Sequence, residues 1–316
     1  MKRRLLVTGY GGFVAGSIVW QASDAWDVHA FSLVEAPQER EGFRCYQFDL
    51  CGAGELRAVF SAIKPEAVIH TAALADIDYC QSHQDEAERV NVGVTQELAR
   101  LCAASEARMI LCSTDTVFDG RKGMYTEEDP PHAVNFYAET KVRAEQAVRE
   151  NVQNAVVTRL SLVMGLPVLG AGNSFLAKMM KALEAGKEVQ FPANEIRTPV
   201  DVITLGRAFL EIAENNFTGT LHLAGSTRLN RYEMACQIAE RLGYSRDLVV
   251  ATDSNAMAGR APRPNDASLD NAKARRVLHT PMRTLADGLG LVLDVYKRQH
   301  GQSGVKTQTE ETTNGP

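Results

Sequence analysis

Tyr137 and Lys141 stand four residues apart in Tyr-Ala-Glu-Thr-Lys. On a helix that spacing puts a phenol and an ammonium on one face, about one turn apart. A free phenol titrates near pH 10, and a neighbouring ammonium favours its ionised form, so the pair reads as a proton donor or acceptor usable near neutrality. The same spacing also suits an exposed helix pair, and position must supply the specificity. Upstream, Met109-Ile110-Leu111-Cys112 reads as a buried strand ending in Ser113-Thr114-Asp115. That is the carboxyl edge at which open α/β sheets take their ligands, where the Thr114 hydroxyl can reach the same substrate oxygen. A plain Ser/Thr turn is the alternative.

A different chemistry is written near the start. Thr8-Gly9-Tyr10-Gly11-Gly12-Phe13-Val14-Ala15-Gly16 follows one apolar strand and opens a helix. Gly9 permits a tight turn, Gly12 lets a pyrophosphate approach the backbone, and the small Ala15 lets helix and strand lie close. Free amides at the positive helix end then hold phosphates. In an NAD-specific site an acid at the end of the second strand bonds the ribose 2′-hydroxyl. Here the second strand ends at Ser32 and the first acid is Glu35. A hydroxyl repels a 2′-phosphate less than a carboxylate does, which points to NADP, with NAD as the alternative because no arginine directly follows. Asp49 contacts the adenine end or caps the next helix.

The elements that carry these groups alternate. Strands are expected near 3–8, 27–32, 43–48, 67–71, 108–112 and 155–160, with helices near 13–22, 53–63, 85–104 and 136–150. This is the rhythm of a doubly wound parallel sheet. Beyond Arg159, Gly165, Pro167, Gly170 and Gly172 mark a long loop before a helix near 174–185. A helix near 201–214 and a strand at 220–223 return to the sheet. A further helix starts at Asn230, with Glu233 three residues on in a capping pattern. The expected division is a dinucleotide-binding domain over 1–165 with a return near 195–224, and a smaller C-terminal substrate-binding subdomain from 166–194 and 225–293. Residues 294–316 are expected to be a disordered, non-native tail, because Asp294-Val295-Tyr296-Lys297-Arg298-Gln299 looks like translated adapter sequence and only Val305 is aliphatic beyond it.

Composition narrows the function classes. With 34 basic and 39 acidic side chains the formal charge is −5, which is not that of a phosphate-backbone binder, so nucleic acid is not expected as a partner. No apolar run reaches the 18 or more residues of a membrane span. Leu5-Leu6-Val7 is too short for a signal's apolar region, so a soluble, cytoplasmic protein is expected. The six cysteines lack C-x-x-C spacing, and His70 and His222 lie in or beside strands, so no metal site is expected.

Taken together, Thr8-Gly9-x-x-Gly12-x-x-Ala15, Thr114 and Tyr137-x-x-x-Lys141 resemble the extended short-chain dehydrogenases/reductases over most of residues 3–290. Ser113-Thr114-Asp115-Thr116-Val117-Phe118-Asp119-Gly120 is most similar to the dTDP-4-dehydrorhamnose reductase-like sugar-nucleotide reductases. The resemblance implies a catalytic set of Thr114, Tyr137 and Lys141, with Asn91 propping the lysine through backbone and water; a solvated helix face is the plainer reading of Asn91. It implies cofactor contacts from Gly9, Gly11, Gly12, Phe13, Val14, Ser32, Asp49, Leu50, Ala72 and Ala73 together with Tyr137 and Lys141. Asp115, Arg197 and Arg263 would face a nucleotide-sugar, guanidinium forks being suited to diphosphates. Relatives of this kind are frequently homodimers. Thr116 stands where 4,6-dehydratases carry a proton-removing glutamate, which disfavours dehydration, and Ala138 replaces a common glycine. The activity implied is reduction of a 4-keto nucleotide-sugar. The alternatives are an epimerase, reduction of a non-sugar carbonyl, or a non-catalytic nucleotide-binding regulatory subunit like methionine adenosyltransferase β, since fold alone does not settle function.

Overall fold

The computed structural model describes residues 2–22, 25–33, 42–169, 172–256 and 259–300. Glu35, Gly170 and the stretch 301–316 lie outside the described residues. Seven strands form one parallel sheet: β1 (Arg3–Thr8), β2 (Trp26–Ser32), β3 (Phe43–Gln47), β4 (Ala67–His70), β5 (Arg108–Thr114), β6 (Ala155–Leu160) and β7 (Gly219–Leu223). Their spatial order is β7-β6-β5-β4-β1-β2-β3, so the winding reverses between β1 and β4. In open α/β sheets that reversal opens a crevice at the carboxyl ends of the two strands.

Near-continuous apolar runs are what a sheet covered on both faces demands. Leu5, Leu6 and Val7 are all fully buried, yet they serve different cores. Leu5 and Val7 point to α1 (Phe13–Gln21) and α6 (Val202–Glu214), meeting Ile18, Leu205 and Phe209. Leu6 points the other way, to α2 (Ala53–Ile63), α3 (Val94–Ser105) and α4 (Phe136–Asn151), meeting Leu56, Leu98 and Val148. The two-residue alternation of side chains along a strand produces this split. A further cluster gathers Met164 and the strand Val189–Pro192 with α5 (Phe175–Glu184), α7 (Arg231–Arg241) and α8 (Leu285–His300). Three two-stranded pairings tie that region together, 163–164 with 200–201, 189–192 with 249–252, and 196–197 with 229–230.

Most elements lie within two residues of their expected bounds, and the Asn230 side chain accepts the Glu233 amide at 2.8 Å as the capping pattern predicts. Three differences have physical causes. The short helix Ile77–Ser82 was not anticipated; Asp76 caps it by accepting the amides of Asp78 and Tyr79. The helix expected at 85–104 is broken at Glu88–Gly93 by a π-turn, in which the Val94 amide reaches back five residues to the Arg89 carbonyl. The tail expected from 294 is corrected over 294–300. The helix α8 continues to His300, because Leu289, Val292 and Val295 recur every three residues and are buried in the cluster with Met164.

Candidate active site

At the β1/β4 crevice the backbone carries the cradle. Gly9 has φ +78° and Gly11 φ +96°, in the left-handed region that L side chains rarely adopt. A Cβ on Gly9 would stand 2.8 Å from the Ala72 amide nitrogen, and one on Gly12 would stand 2.9 Å from the Gly9 carbonyl oxygen. Both positions therefore require glycine. Gly12 is the N-cap of α1 and supplies no side-chain cap, leaving the first amides of the helix open to an anion.

Two cavities meet at this turn, and Gly9, Ala72 and Ala73 line both. One, of about 390 Å³, is an apolar slot between Phe31, Phe48, Leu50, Leu74 and Val94, with Gly11, Ser32, Asp49 and Arg89 around it. The other, of about 510 Å³, holds Gly12, Phe13 and Val14 together with Thr114, Asp115, Tyr137 and Lys141. Every expected cofactor residue thus borders one of two adjoining cavities. A further cavity of about 580 Å³ lies at the opposite edge of the sheet, lined by Arg4, Lys64, Glu66 and Glu106, away from these groups.

Tyr137 sits in the first turn of α4, and that turn is placed by Asn135. The Asn135 carboxamide oxygen accepts the Ala138 amide at 2.9 Å, and its nitrogen donates to the Pro262 carbonyl at 2.9 Å. Lys141, one turn on, is buried and donates to the Cys112 carbonyl at 2.7 Å. Thr114, at the end of β5, has its hydroxyl 3.0 Å from that of Thr116 and donates to Asp115 at 3.3 Å. Burial, rather than Lys141, sets the direction in which the phenol is shifted. Burial pushes Tyr137 well above its usual range, the negative charges available at Cys112, Asp115 and Cys80 add to the rise, and the hydrogen bond with Thr114 is what opposes it. Burial also lowers Lys141. A phenol held neutral in this way is suited to giving up a proton to a developing oxyanion.

Asn91 is not on a solvated face. It is 1% exposed, and it clamps Leu74 at both backbone groups, accepting the Leu74 amide at 2.8 Å and donating to the Leu74 carbonyl at 3.1 Å. It also donates to the Thr140 hydroxyl at 3.0 Å, which in turn donates to the Tyr137 carbonyl at 2.7 Å. Asn91 therefore props the residue beside the lysine and the loop after β4. The π-turn brings it there, a placement frequent at functional sites.

The two arginines expected to face substrate are held by the chain's own loops. Arg197 is buried, donates to the carbonyls of Ile196 (2.7 Å), Pro264 (3.1 Å) and Asn265 (3.3 Å), and pairs with Asp115 at 3.5 Å. Arg263 donates to the Ala261 carbonyl at 2.7 Å and pairs with Asp78 at 2.9 Å. Both forks are spent on the chain's own loops, and neither borders the two cavities. Asp115 does border the larger one, with burial raising its carboxyl against the opposing pull of Arg197.

Sequence reasoning overlooked a buried chain of hydrogen bonds under the cradle. The Thr95 hydroxyl donates to the Asn91 carbonyl at 2.6 Å, so at 3.0 Å from His70 Nε2 it accepts. That leaves His70 Nδ1 as the acceptor of the Thr8 hydroxyl at 2.7 Å, and Thr8 in turn accepts the Ala72 amide at 3.2 Å. Burial pushes His70 down to about 3, so the ring is neutral as the chain requires. The available signal was a histidine at a strand end flanked by small residues. Asn135 was legible as an N-cap two residues before Tyr137 and was passed over.

Fold and site together define an extended short-chain dehydrogenase/reductase. The chain belongs to the RmlD substrate binding domain family, whose profile matches residues 3–298. It is similar to methionine adenosyltransferase 2 subunit beta of Mus musculus, 30% identical over 90% of this chain and 86% of that one. It is also similar to a structure titled as a hypothetical dTDP-4-dehydrorhamnose reductase of Sulfolobus tokodaii, 29% identical with a TM-score of 0.78 over 90% of this chain and 99% of that one. The dTDP-4-dehydrorhamnose reductase of Bacillus anthracis, solved in complex with NADP, shares the fold at 22% identity, TM-score 0.83, over 93% of this chain and 99% of that one.

Proposed function

We propose that the protein is an NADPH-dependent reductase of a 4-keto nucleotide-sugar, with NADH as the weaker cofactor. The observation that carries this reading is the convergence of Thr114, Tyr137 and Lys141 on one cavity whose other wall is the glycine turn. The cradle fits a dinucleotide, since the uncapped first amides of α1 open beside a glycine turn that borders both cavities. Gly9, Gly11, Gly12 and the first amides of α1 would hold the pyrophosphate, the slot at Phe31, Phe48 and Leu50 the adenine, and Lys141 the nicotinamide ribose. A bound reduced nicotinamide supplies the hydride. Tyr137 gives its proton to the carbonyl oxygen as charge develops there, and the Thr114 hydroxyl orients that oxygen. Lys141 is held by Cys112 so that its ammonium stays within the cavity. The site contributes alignment and proton transfer, the two parts of this chemistry a protein can supply. The preference for NADPH rests on Ser32, whose hydroxyl donates to the Tyr10 carbonyl at 3.0 Å and presents no carboxylate to a 2′-phosphate.

The likeness to methionine adenosyltransferase 2 subunit beta favours a second reading, a nucleotide-binding subunit that serves a partner enzyme. One experiment separates the two. The purified protein is mixed with NADPH or NADH and a dTDP-linked 4-keto-6-deoxysugar, and cofactor oxidation is followed. Turnover faster with NADPH supports the reductase. Stabilisation by NADPH on heating without turnover over any nucleotide-sugar supports the subunit, because a ligand of the native state raises apparent stability whatever follows.

A further inference from the structure

One turn beyond Lys141, the same helix face carries a second ionisable group that the chemistry above does not use. Glu145 is fully buried. Its Oε1 accepts the Ser113 hydroxyl at 2.6 Å and the Arg159 Nε at 3.0 Å. Its Oε2 accepts Arg159 Nη2 at 2.9 Å and Arg149 Nη2 at 2.6 Å. Four charge-assisted bonds from three elements meet on one carboxylate, a density reserved in protein interiors for groups whose position is fixed. Arg159 is anchored in its turn, with its guanidinium 5.0 Å above the Phe118 ring, which stacks on Tyr125 at 4.1 Å.

The contacts form a staple. Lys141 reaches the carbonyl of Cys112, Glu145 reaches the hydroxyl of Ser113, and the next residue along the strand is Thr114. Two successive turns of α4 are thus tied to two successive residues of β5, directly below the hydroxyl and phenol of the site. We propose that Glu145 is a positioning residue which, through Ser113 and Arg159, sets the register of the Tyr137–Lys141 helix against the strand edge bearing Thr114, and that its carboxylate, one helix turn on, is an anion to which the Lys141 ammonium is coupled. The groups facing Lys141 are Cys112 on β5, His70 on β4 and Glu145 on its own helix. Those facing Glu145 are Arg149 on its own helix, Ser113 on β5, Arg159 on β6 and His222 on β7. Burial pulls Lys141 down while the Glu145 charge opposes it; the Cys112 thiol, itself pushed up by burial, stays neutral near pH 7.

The inference deepens the reductase reading; its electrostatic half is tested without cofactor or substrate, and its register half by turnover. Full-length protein labelled with ¹³C at the lysine ε-carbons is titrated by NMR, with Lys141 assigned from the spectrum of Lys141→Met. Glu145→Gln is expected to move the Lys141 midpoint to lower pH by about half a unit or more, and Glu145→Asp, which keeps the charge, to leave it near that of the parent. An unchanged midpoint in Glu145→Gln overturns the electrostatic half of the proposal. Should that variant fail to fold because Arg159 is left unpaired, Glu145→Leu with Arg159→Met is compared with Arg159→Met alone, so that the two differ only in the Glu145 charge, and an equal midpoint in both overturns it. Register is read separately from Ser113→Ala, in which NADPH oxidation is expected to lose about tenfold in kcat with KM near the parent's. If the parent itself turns over no nucleotide-sugar, the reductase reading fails while the titration still decides on Glu145. Parent kcat in Ser113→Ala overturns the positioning half.

Discussion

The two cavities that meet at Gly9 are built by opposite means. The apolar slot is made of shape. Phe31 and Phe48 cross edge-on at 4.8 Å, Leu50 and Val94 close the sides, and the turn itself consists of glycines whose φ values only glycine adopts readily. The reacting centre is made of wiring. Asn91, Asn135, Thr140 and Glu145, from two stretches of chain, hold Tyr137 and Lys141 through bonds of 3.1 Å or less. A surface shaped for a flat ring tolerates small shifts, whereas proton transfer does not, since a misplacement of about 1 Å can cost about a hundredfold. The contrast is therefore one of required accuracy, and it can be broken by variants that affect binding and chemistry differently.

The largest effect is expected from Tyr137→Phe. NADPH-dependent turnover should fall by about 10²–10⁴-fold, while the cofactor dissociation constant, measured by calorimetry, stays within about threefold because the slot is untouched. Equal losses in both would show that the two cavities are not separable.

Next comes acidification, which probes the floor they share. His70 has a folded value of about 3 and His222 of about 4, both below the unfolded value of 6.5. The unfolded chain therefore takes up protons first, and stability from these rings is complete above about pH 6.5 and lost as pH falls, down to about 4 for His222 and about 3 for His70. Each unit of separation is worth about 1.4 kcal/mol. Urea unfolding across that window should show the loss, with a shallower slope in His70→Gln.

A smaller effect is expected from Asn91→Ala. Freeing both backbone groups of Leu74 should cost about 1–3 kcal/mol and, because Leu74 borders the slot, should weaken cofactor binding as well as turnover. Loss of turnover alone would place Asn91 wholly on the side of the chemistry. The smallest is expected from Arg263→Ala. Its pair with the half-exposed Asp78 contributes about 0–1 kcal/mol, and KM for the sugar should change by less than about twofold, as suits a guanidinium turned away from both cavities.

The same contrast explains what the sequence disclosed. The cradle was legible because its signals are local: a strand, glycines at fixed offsets and a helix within fourteen residues. Tyr137, Lys141 and Thr114 were legible as types, and the sheet edge placed them. Their supports were not, because Asn91 meets Leu74 across 17 residues, Ser113 meets Glu145 across 32 and Asn91 meets Thr140 across 49. Periodicity carries no record of such meetings. The loop contacts of Arg197 and Arg263 were hidden for the same reason, since a fork suited to diphosphate is equally suited to carbonyls of its own loop, and those loops fold from afar.

The π-turn at Glu88–Gly93 imposes a rule of counting. Each residue advances a helix by about 100°, so the extra residue in that turn resets the phase of everything beyond it. Delete one residue there and the helix becomes regular, yet either Asn91 swings away from Leu74 or Leu98 and Cys102 rotate out of the core. Substitutions along this stretch can be absorbed one at a time, but insertions and deletions cannot, and the descendants of this chain are held to a fixed tally of residues between the loop at Leu74 and the core at Leu98.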